Sequence, residues 1–554
     1  MTMSSDEKQK HVEWVLHSDI RTYMTSRDIL SPWFPAFKSI KNLDQEIRWF
    51  SALVPPKKIP RLVKETGGWD IGPDDGTPEI WTRYRGEGKD IRYCPFGNKD
   101  GIEPIVIWRS FHGMRPDYLE LAQEFRLYHN LYPDPTRNRF IYFDKNGDES
   151  DAVRYGKEFM EIRTDLLKKF CAIKQMALAV YVESFRYSFY TLEELGLSEI
   201  RKKEKGVHYW FPLAVVPQKN LFLENKFETI GLIVGGKKYV LPDPMPSDEE
   251  AEKEQFQEFI IGTDSTGKVI RHTCNPALLA NFFGANPDAP NYLTPVFFRS
   301  EVFSKYYADP GKYSVEDGYL HCGGIWGLRM DNDHSNYVVV WLGDLGSNLT
   351  ETERNYWLSF NIPPEGRKIS KTNFKRAILD RFADPIRPDL VFKQVYTQFN
   401  HDFRQTKEWE FFLPLHPDDQ HFFIGLHLLS KDTQAEFDSQ LLALTKVLVD
   451  SLNEKEITKG LATLTGNDKG ITKLEKFFSE QGFLDFDTHI KFLRGLQDLR
   501  SKSAAHRKGS NYDELIAALQ IADEGRQRVF TVLLSSAIEF VRYLQNNLLS
   551  KYGI

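Results

Sequence analysis

After Ser430 the chain carries four successive segments in which apolar residues recur every third or fourth position. Such segments bury their apolar side only when helices pack on one another. Residues 434–452 place Phe437, Leu441, Leu444, Leu448 and Leu452 on one face. Residues 468–481 form a second helical stretch, stopped by Gly482. The third runs from 486 towards Arg500, with Ile490, Leu493 and Leu496 inward. The fourth begins near Asp523, and Phe530, Leu534, Ala537, Val541, Leu544 and Leu548 make its stripe. Four amphipathic helices with short connections predict an all-α bundle over residues 431–554, with the stripes as its core.

The upstream chain has a different texture. Residues 1–241 mix strand-like and helix-like stretches and predict an α+β domain. Residues 104–108 and 139–143 are rich in β-branched and aromatic residues and read as strands; DKNGD at 144–148 reads as a hairpin turn. Residues 161–190 are expected to form the long helix of this part, with Leu166, Phe170, Ile173, Ala177 and Val180 facing a core. Residues 242–255, PDPMPSDEEAEKEQ, are proline-rich and then acidic, and fit an exposed linker or a long surface loop equally. From 256 to 430 strand signals dominate: residues 337–342 and 422–428 read as buried strands, and a helical stretch intervenes near 372–382. The fold class is α+β, a large mixed α/β N-terminal region followed by the C-terminal all-α bundle.

A chain of 554 residues is too long for one hydrophobic core and implies two to four domains. Apolar residues at 41% exclude global disorder. No apolar run approaches the roughly 18 residues of a membrane span, and the polar start MTMSSDEKQKHVEW lacks a signal core. The four cysteines, Cys94, Cys171, Cys274 and Cys322, are far apart and form no CxxC, which argues against a disulfide framework or zinc knuckle. A cytoplasmic protein with no membrane partner is expected. A net charge of −6 means that any nucleic-acid binding must come from a local patch.

Several motifs fail on inspection. Gly231-Leu-Ile-Val-Gly-Gly-Lys237 matches most of a phosphate-binding loop, but Lys238 stands where Ser or Thr would hold magnesium. A strand-like stretch, Tyr239-Val240-Leu241, follows instead of a helix, and Gly235-Gly236 reads as a hairpin turn. Residues 144–148 resemble the start of a calcium loop, but Tyr155 takes the place of the closing Glu. Asp331, Asp333 and His334, and His416, Asp418, Asp419 and His421, could each ligate metal, though loops between strands often look like this. They make an enzyme within 256–430 a third possibility.

The informative stretch is residues 496–510, LQDLRSKSAAHRKGS. Between Lys491 and Ser510 the basic residues are Lys491, Arg494, Arg500, Lys502, Arg507 and Lys508, against one acid, Asp498, in a segment (431–554) whose charges balance as a whole. Such a patch attracts phosphate within about 8 Å at physiological salt. On an unbroken helix Arg500 and His506 would stand about 120° apart, so they converge only where the helix bends or ends. Ser501, Ser503 and Gly509 favour such a break. The pair suits RNA cleavage by internal transesterification. A neutral histidine takes the proton from the ribose 2′-OH, and an arginine binds two phosphate oxygens as negative charge develops. No metal or other cofactor is needed, and the 2′-OH restricts the reaction to RNA.

Arg500 and His506 at the connection between the third and fourth helices of a small bundle resemble the HEPN superfamily, whose signature is an Arg followed a few residues later by a His. The resemblance covers about residues 431–554. It implies a HEPN-like helical bundle that dimerises, so that two Arg–His sets meet, and a metal-independent endoribonuclease of the toxin or anti-phage type. Arg500 would stabilise the phosphate and His506 would act as acid and base. Lys502, Arg507, Lys508 and Arg494 are the expected RNA contacts. RNA and a second copy are the expected partners, a regulatory protein or nucleotide a further ligand, and the region 1–430 a sensor or restraint. Ser501 stands where the family often has Asn, Asp or His. The alternative is therefore a non-catalytic dimerising module that binds RNA, nucleotide or a partner protein.

Overall fold

Residues 177–188, ALAVYVESFRYS, crowd alanine, valine and aromatic side chains into a strand-favouring run, and they form one strand of an eleven-stranded antiparallel sheet. The computed structural model describes residues 5–29, 31–65, 68–85, 88–98, 100–218, 227–245, 254–503 and 521–549. The chain divides into two compact units, residues 1–144 with 148–253, and residues 254–554 with 145–147.

The first unit is strand-rich. Its sheet contains β1 (Trp33–Lys41), β2 (Gln45–Val54), β3 (Tyr132–Asp134), β4 (Arg139–Phe143), β5 (Glu149–Tyr155), β6 (Phe159–Arg163), β7 (Ala177–Ser188), β8 (Ile200–Lys205), β9 (Tyr209–Pro217) and β10 (Thr229–Val240). They pair in the order β8-β9-β10-β7-β2-β1-β6-β5-β4-β3, and Glu103–Pro104 pairs with β2. Helices α1 (Ser5–Val15) and α2 (Ser18–Thr25) precede the sheet, and α3 (Thr164–Lys174) connects β6 to β7.

The single helix expected over 161–190 is corrected. Only α3 is helical, and Gln175, at φ 51°, takes the left-handed conformation that ends it. Residues 177–182 are all buried. A strand covered on both faces carries an unbroken apolar run, which spacing alone does not separate from a buried helix. The hairpin turn at 144–148 forms as expected, with Asp144 N donating to Asp148 O at 3.1 Å.

The expected turn at Gly235-Gly236 is also corrected. β10 runs straight through it, and Gly235, at φ 69°, marks a bulge where the pairing with β7 shifts register. Gly231 lets the end of α1 lie against β10: a Cβ there would stand 1.9 Å from Val15 O. The two lysines that follow are both buried. Lys237 Nζ donates to Asp70 at 2.8 Å, and the phenols of Tyr181 and Tyr239 donate to the other carboxylate oxygen. Lys238 Nζ donates to Tyr23 O and Ser26 Oγ at 2.9 and 2.8 Å, and so satisfies the carbonyl end of α2.

The second unit begins with small antiparallel sheets. β11 (Pro295–Arg299) pairs with β15 (Tyr337–Trp341) on one side and β16 (Asn361–Ile362) on the other. β12 (Tyr313–Glu316), β13 (Tyr319–Cys322) and β14 (Trp326–Arg329) form a second sheet of three. Phe298, Val338, Val340 and Trp357 are among the residues of the core beneath them. The strand expected over 422–428 is corrected: Gln420–Ile424 is a short helix, and Leu426 and Leu429 drop into the core of the helices that follow. An apolar run with no partner strand beside it has no ladder to join.

From residue 388 the unit is mostly helical, with α4 (Pro388–Thr406), α5 (Gln434–Thr445), α6 (Gly470–Glu480), α7 (Asp487–Ser503) and α8 (Ile521–Leu548). A π-helical turn, Lys446–Asp450, extends α5, and Gly525 at φ 78° kinks α8. The apolar stripes read from the sequence meet in one core, from Phe437 and Leu441 through Leu493 and Leu496 to Phe530 and Leu544. The same core includes Phe392, Phe399 and Phe403 of α4, which lies along α8. Among the described residues no helix is long and apolar enough to cross a membrane.

Candidate functional site

Arg500 stands on the last turn of α7, on the same side of the helix as Leu493 and Leu496, which the core buries. Its side chain is about one-third exposed, and one guanidinium nitrogen donates to both oxygens of Asp450, at 3.0 and 2.9 Å. Asp450 closes the π-helical turn after α5. Two segments distant in sequence therefore meet at Arg500.

Arg494, an expected RNA contact, is engaged on the flank of the same helix. It grips Glu475 of α6, with Nη1 and Nη2 at 3.3 and 2.5 Å from the two carboxylate oxygens. The helix does not break directly after Arg500. Ser501 Oγ bonds back to Gln497 O at 2.9 Å, and α7 continues to Ser503. His506, Arg507 and Lys508 lie outside the described residues, as does the side chain of Lys502.

The sequence carries no signal for Asp450. It lies fifty positions before Arg500, and only the packing of α7 on α5 and its π-helical extension brings them together.

The two suspected metal clusters are taken up by backbone and side-chain contacts within the protein. Asp331 accepts from Ser370 N at 2.6 Å. Asp333 accepts from Ile386 N, Arg387 N and Thr372 Oγ1 at 2.7, 2.8 and 2.6 Å. Together they fasten the segment 370–387 to the loop after β14. His334 stacks on Tyr337 with ring centres 4.2 Å apart. In the other cluster His416 Nδ1 accepts from Asp418 N at 3.3 Å, and Asp419 pairs with Lys446 at 2.9 Å. Among the described residues no group of three or more His, Cys, Asp or Glu is disposed to hold a metal ion.

A cavity of about 570 Å³ opens beside the first cluster, with Tyr292, Trp341 and Asp344 in its wall. Burial raises the pKa of Asp344, which accepts from Tyr292 Oη at 2.9 Å. Asp317, also in the wall, is held bidentately by Arg376 at 2.8 and 2.7 Å. These carboxylates chiefly anchor the loops that make the cavity.

The discounted phosphate-loop motif lies inside β10, where its lysine is spent on Asp70 and its glycines serve a close approach and a bulge. It offers no helix N-terminus to an anion. Comparison of the chain with protein-family models, with curated proteins and with solved structures finds no match.

Proposed function

We propose that the C-terminal helical part is a metal-independent endoribonuclease of the HEPN type, and that the chain is a toxin or anti-phage effector restrained by its N-terminal region. The observation that carries this reading is the setting of Arg500. It lies partly exposed on the last turn of α7, just before the segment that bears His506, and its charge is paired with the partly exposed carboxylate of Asp450. A phosphodiester competing with Asp450 meets a guanidinium able to bind two of its oxygens.

In the reaction the ribose O2′ attacks phosphorus as His506 takes its proton. The P–O5′ bond breaks, O5′ leaves with a proton, and a 2′,3′-cyclic phosphate remains. Arg500 stabilises the charge on the pentacoordinate phosphorus. Two copies meeting through the helical part would bring two such sets together.

The test is cleavage of total RNA and tRNA with EDTA present, by the parent protein and by His506→Ala. Cleavage by the parent alone, with cyclic phosphate ends, is expected; equal cleavage by both would place the activity elsewhere.

The second reading, a non-catalytic dimerising module that binds RNA, nucleotide or a partner protein, is favoured by the same contact. Asp450 occupies the guanidinium that catalysis would use, and Arg494 is occupied likewise. In that case His506→Ala leaves binding intact and no cleavage is seen with either protein.

A further inference from the structure

A second basic stretch lies within the same unit, away from α7. Between Arg367 and Phe382 the sequence has six basic residues and one acid, Asp380. Arg376 is committed to Asp317, and Arg367 contacts Glu365. Among the described residues Lys368, Lys371, Lys375 and Arg381 form no ion pair. The segment also exposes large apolar side chains: Phe374, Ile378 and Leu379 are 44–46% exposed, and Phe382 85%. Unpaired lysines interleaved with exposed aromatic and aliphatic groups on one short segment have no role in the core of this unit.

The segment is not a free amphipathic helix. It contains a three-residue helix, Lys371–Asn373, and one π-helical turn, Phe374–Ile378, and Ser370 and Thr372 tie its start to Asp331 and Asp333. It forms one wall of an open groove of about 750 Å³ whose other wall includes Phe297 of β11 and Trp341 of β15. Phe374 and Trp341 line this groove together with Lys371 and Lys375. A helix that lies in a lipid interface needs a long continuous apolar face. Rings that line a groove beside unpaired cations suit a chain of flat bases joined by phosphates.

We propose that this groove binds single-stranded RNA, with the bases against Trp341 and Phe374 and the phosphates against Lys371 and Lys375. The choice of RNA over DNA rests on the ribonuclease reading; the groove itself does not. It would hold substrate on the same unit that carries Arg500.

The test is fluorescence anisotropy of a labelled twenty-nucleotide oligouridine, with the full chain carrying His506→Ala so that the probe survives. Lys371→Ala with Lys375→Ala should weaken binding about tenfold and flatten the dependence of log K on log salt by about 0.7 per lysine. Phe374→Ala should weaken it by about fivefold or more with the salt slope unchanged, as loss of a stacking partner does. All four side chains are wholly or partly exposed, and an unchanged circular dichroism spectrum checks that the variants fold. Affinity equal to the parent in both variants would overturn the proposal. So would competition by polyglutamate as strong as by RNA, or these substitutions abolishing binding to phosphatidylserine vesicles while sparing RNA. A deoxyuridine oligomer bound as tightly would overturn the choice of RNA. RNA bound in the groove but left whole by the parent protein would sink the ribonuclease reading alone.

Discussion

Arg500 and Asp450 are joined through one guanidinium nitrogen and both carboxylate oxygens, at 3.0 and 2.9 Å, across a junction between α7 and the turn that follows α5. Both side chains are more than 30% exposed, so water screens the pair and it contributes no more than about 1 kcal/mol to stability. Asp450→Asn should therefore shift unfolding in urea by less than about 1 kcal/mol. On the ribonuclease reading it should also raise the cleavage rate, because the guanidinium no longer has a charged competitor, whereas Arg500→Ala should abolish cleavage. A rate lowered by Asp450→Asn would show instead that the carboxylate positions Arg500 for the reaction.

Lys237 and Asp70 behave differently because both are almost completely buried, at 1% and 4% exposure. Removing one charge strands the other, at a cost of about 3–5 kcal/mol. Asp70→Asn should therefore lower the urea midpoint of the first unit sharply. Lys237→Met added to Asp70→Asn should recover much of the loss, since no uncompensated charge then remains. A double variant as unstable as the sum of the two singles would mean that the charges do not interact.

The first unit should also lose stability in mild acid. Burial lowers the pKa of His17 from 6.5 to about 4. The native state then resists a proton that the unfolded chain accepts. The contribution is present in full above about pH 6.5 and is lost as the pH falls towards 4, on the order of 3 kcal/mol in all. His129, lowered to about 4 by its own burial, acts in the same direction. Urea unfolding at pH 7 and pH 4.5 measures this. His17→Asn, which tolerates the backbone at φ 52°, should flatten the dependence; an unchanged slope would assign the acid sensitivity to other groups.

Gly231→Ala tests the close approach of α1 to β10. Its Cβ would meet the Val15 carbonyl at 1.9 Å, and a backbone atom does not move aside as a side-chain tip does. The substitution should destabilise the first unit by several kcal/mol, seen as a lowered thermal midpoint, whereas Gly482→Ala at a helix end should cost about 1 kcal/mol. Equal small effects would show that α1 shifts freely on the sheet.

Much of the helical part is legible in the sequence. Phe437, Leu441, Leu493 and Phe530 declare their faces through spacing alone, because an exposed side on each helix leaves the period visible. The first unit hides more. Ala177 to Val182 is buried on both faces, so its run carries no period to read, and the helix expected there divides into α3 and β7. At the candidate site Arg500 stands out by its neighbours in sequence. The density of lysines around Phe374 reads only as part of a helical stretch, although six basic residues against one acid match the count near Arg500.

The sequence alone determined where the amphipathic helices after Ser430 lie, that a strand-rich region precedes a mostly helical one, and that Arg500 falls near the end of one of those helices. These are local properties, set by side-chain periodicity and by residues such as Gly482 that end an element. Tertiary structure alone decided that Asp450 meets Arg500, that Lys237 finds Asp70, and that Phe374 shares a groove with Trp341. Each of these relationships joins residues more than thirty positions apart, and no local pattern encodes them. They arise only when burial of separate apolar faces brings distant segments together, and the polar groups carried along are then satisfied by whatever lies opposite.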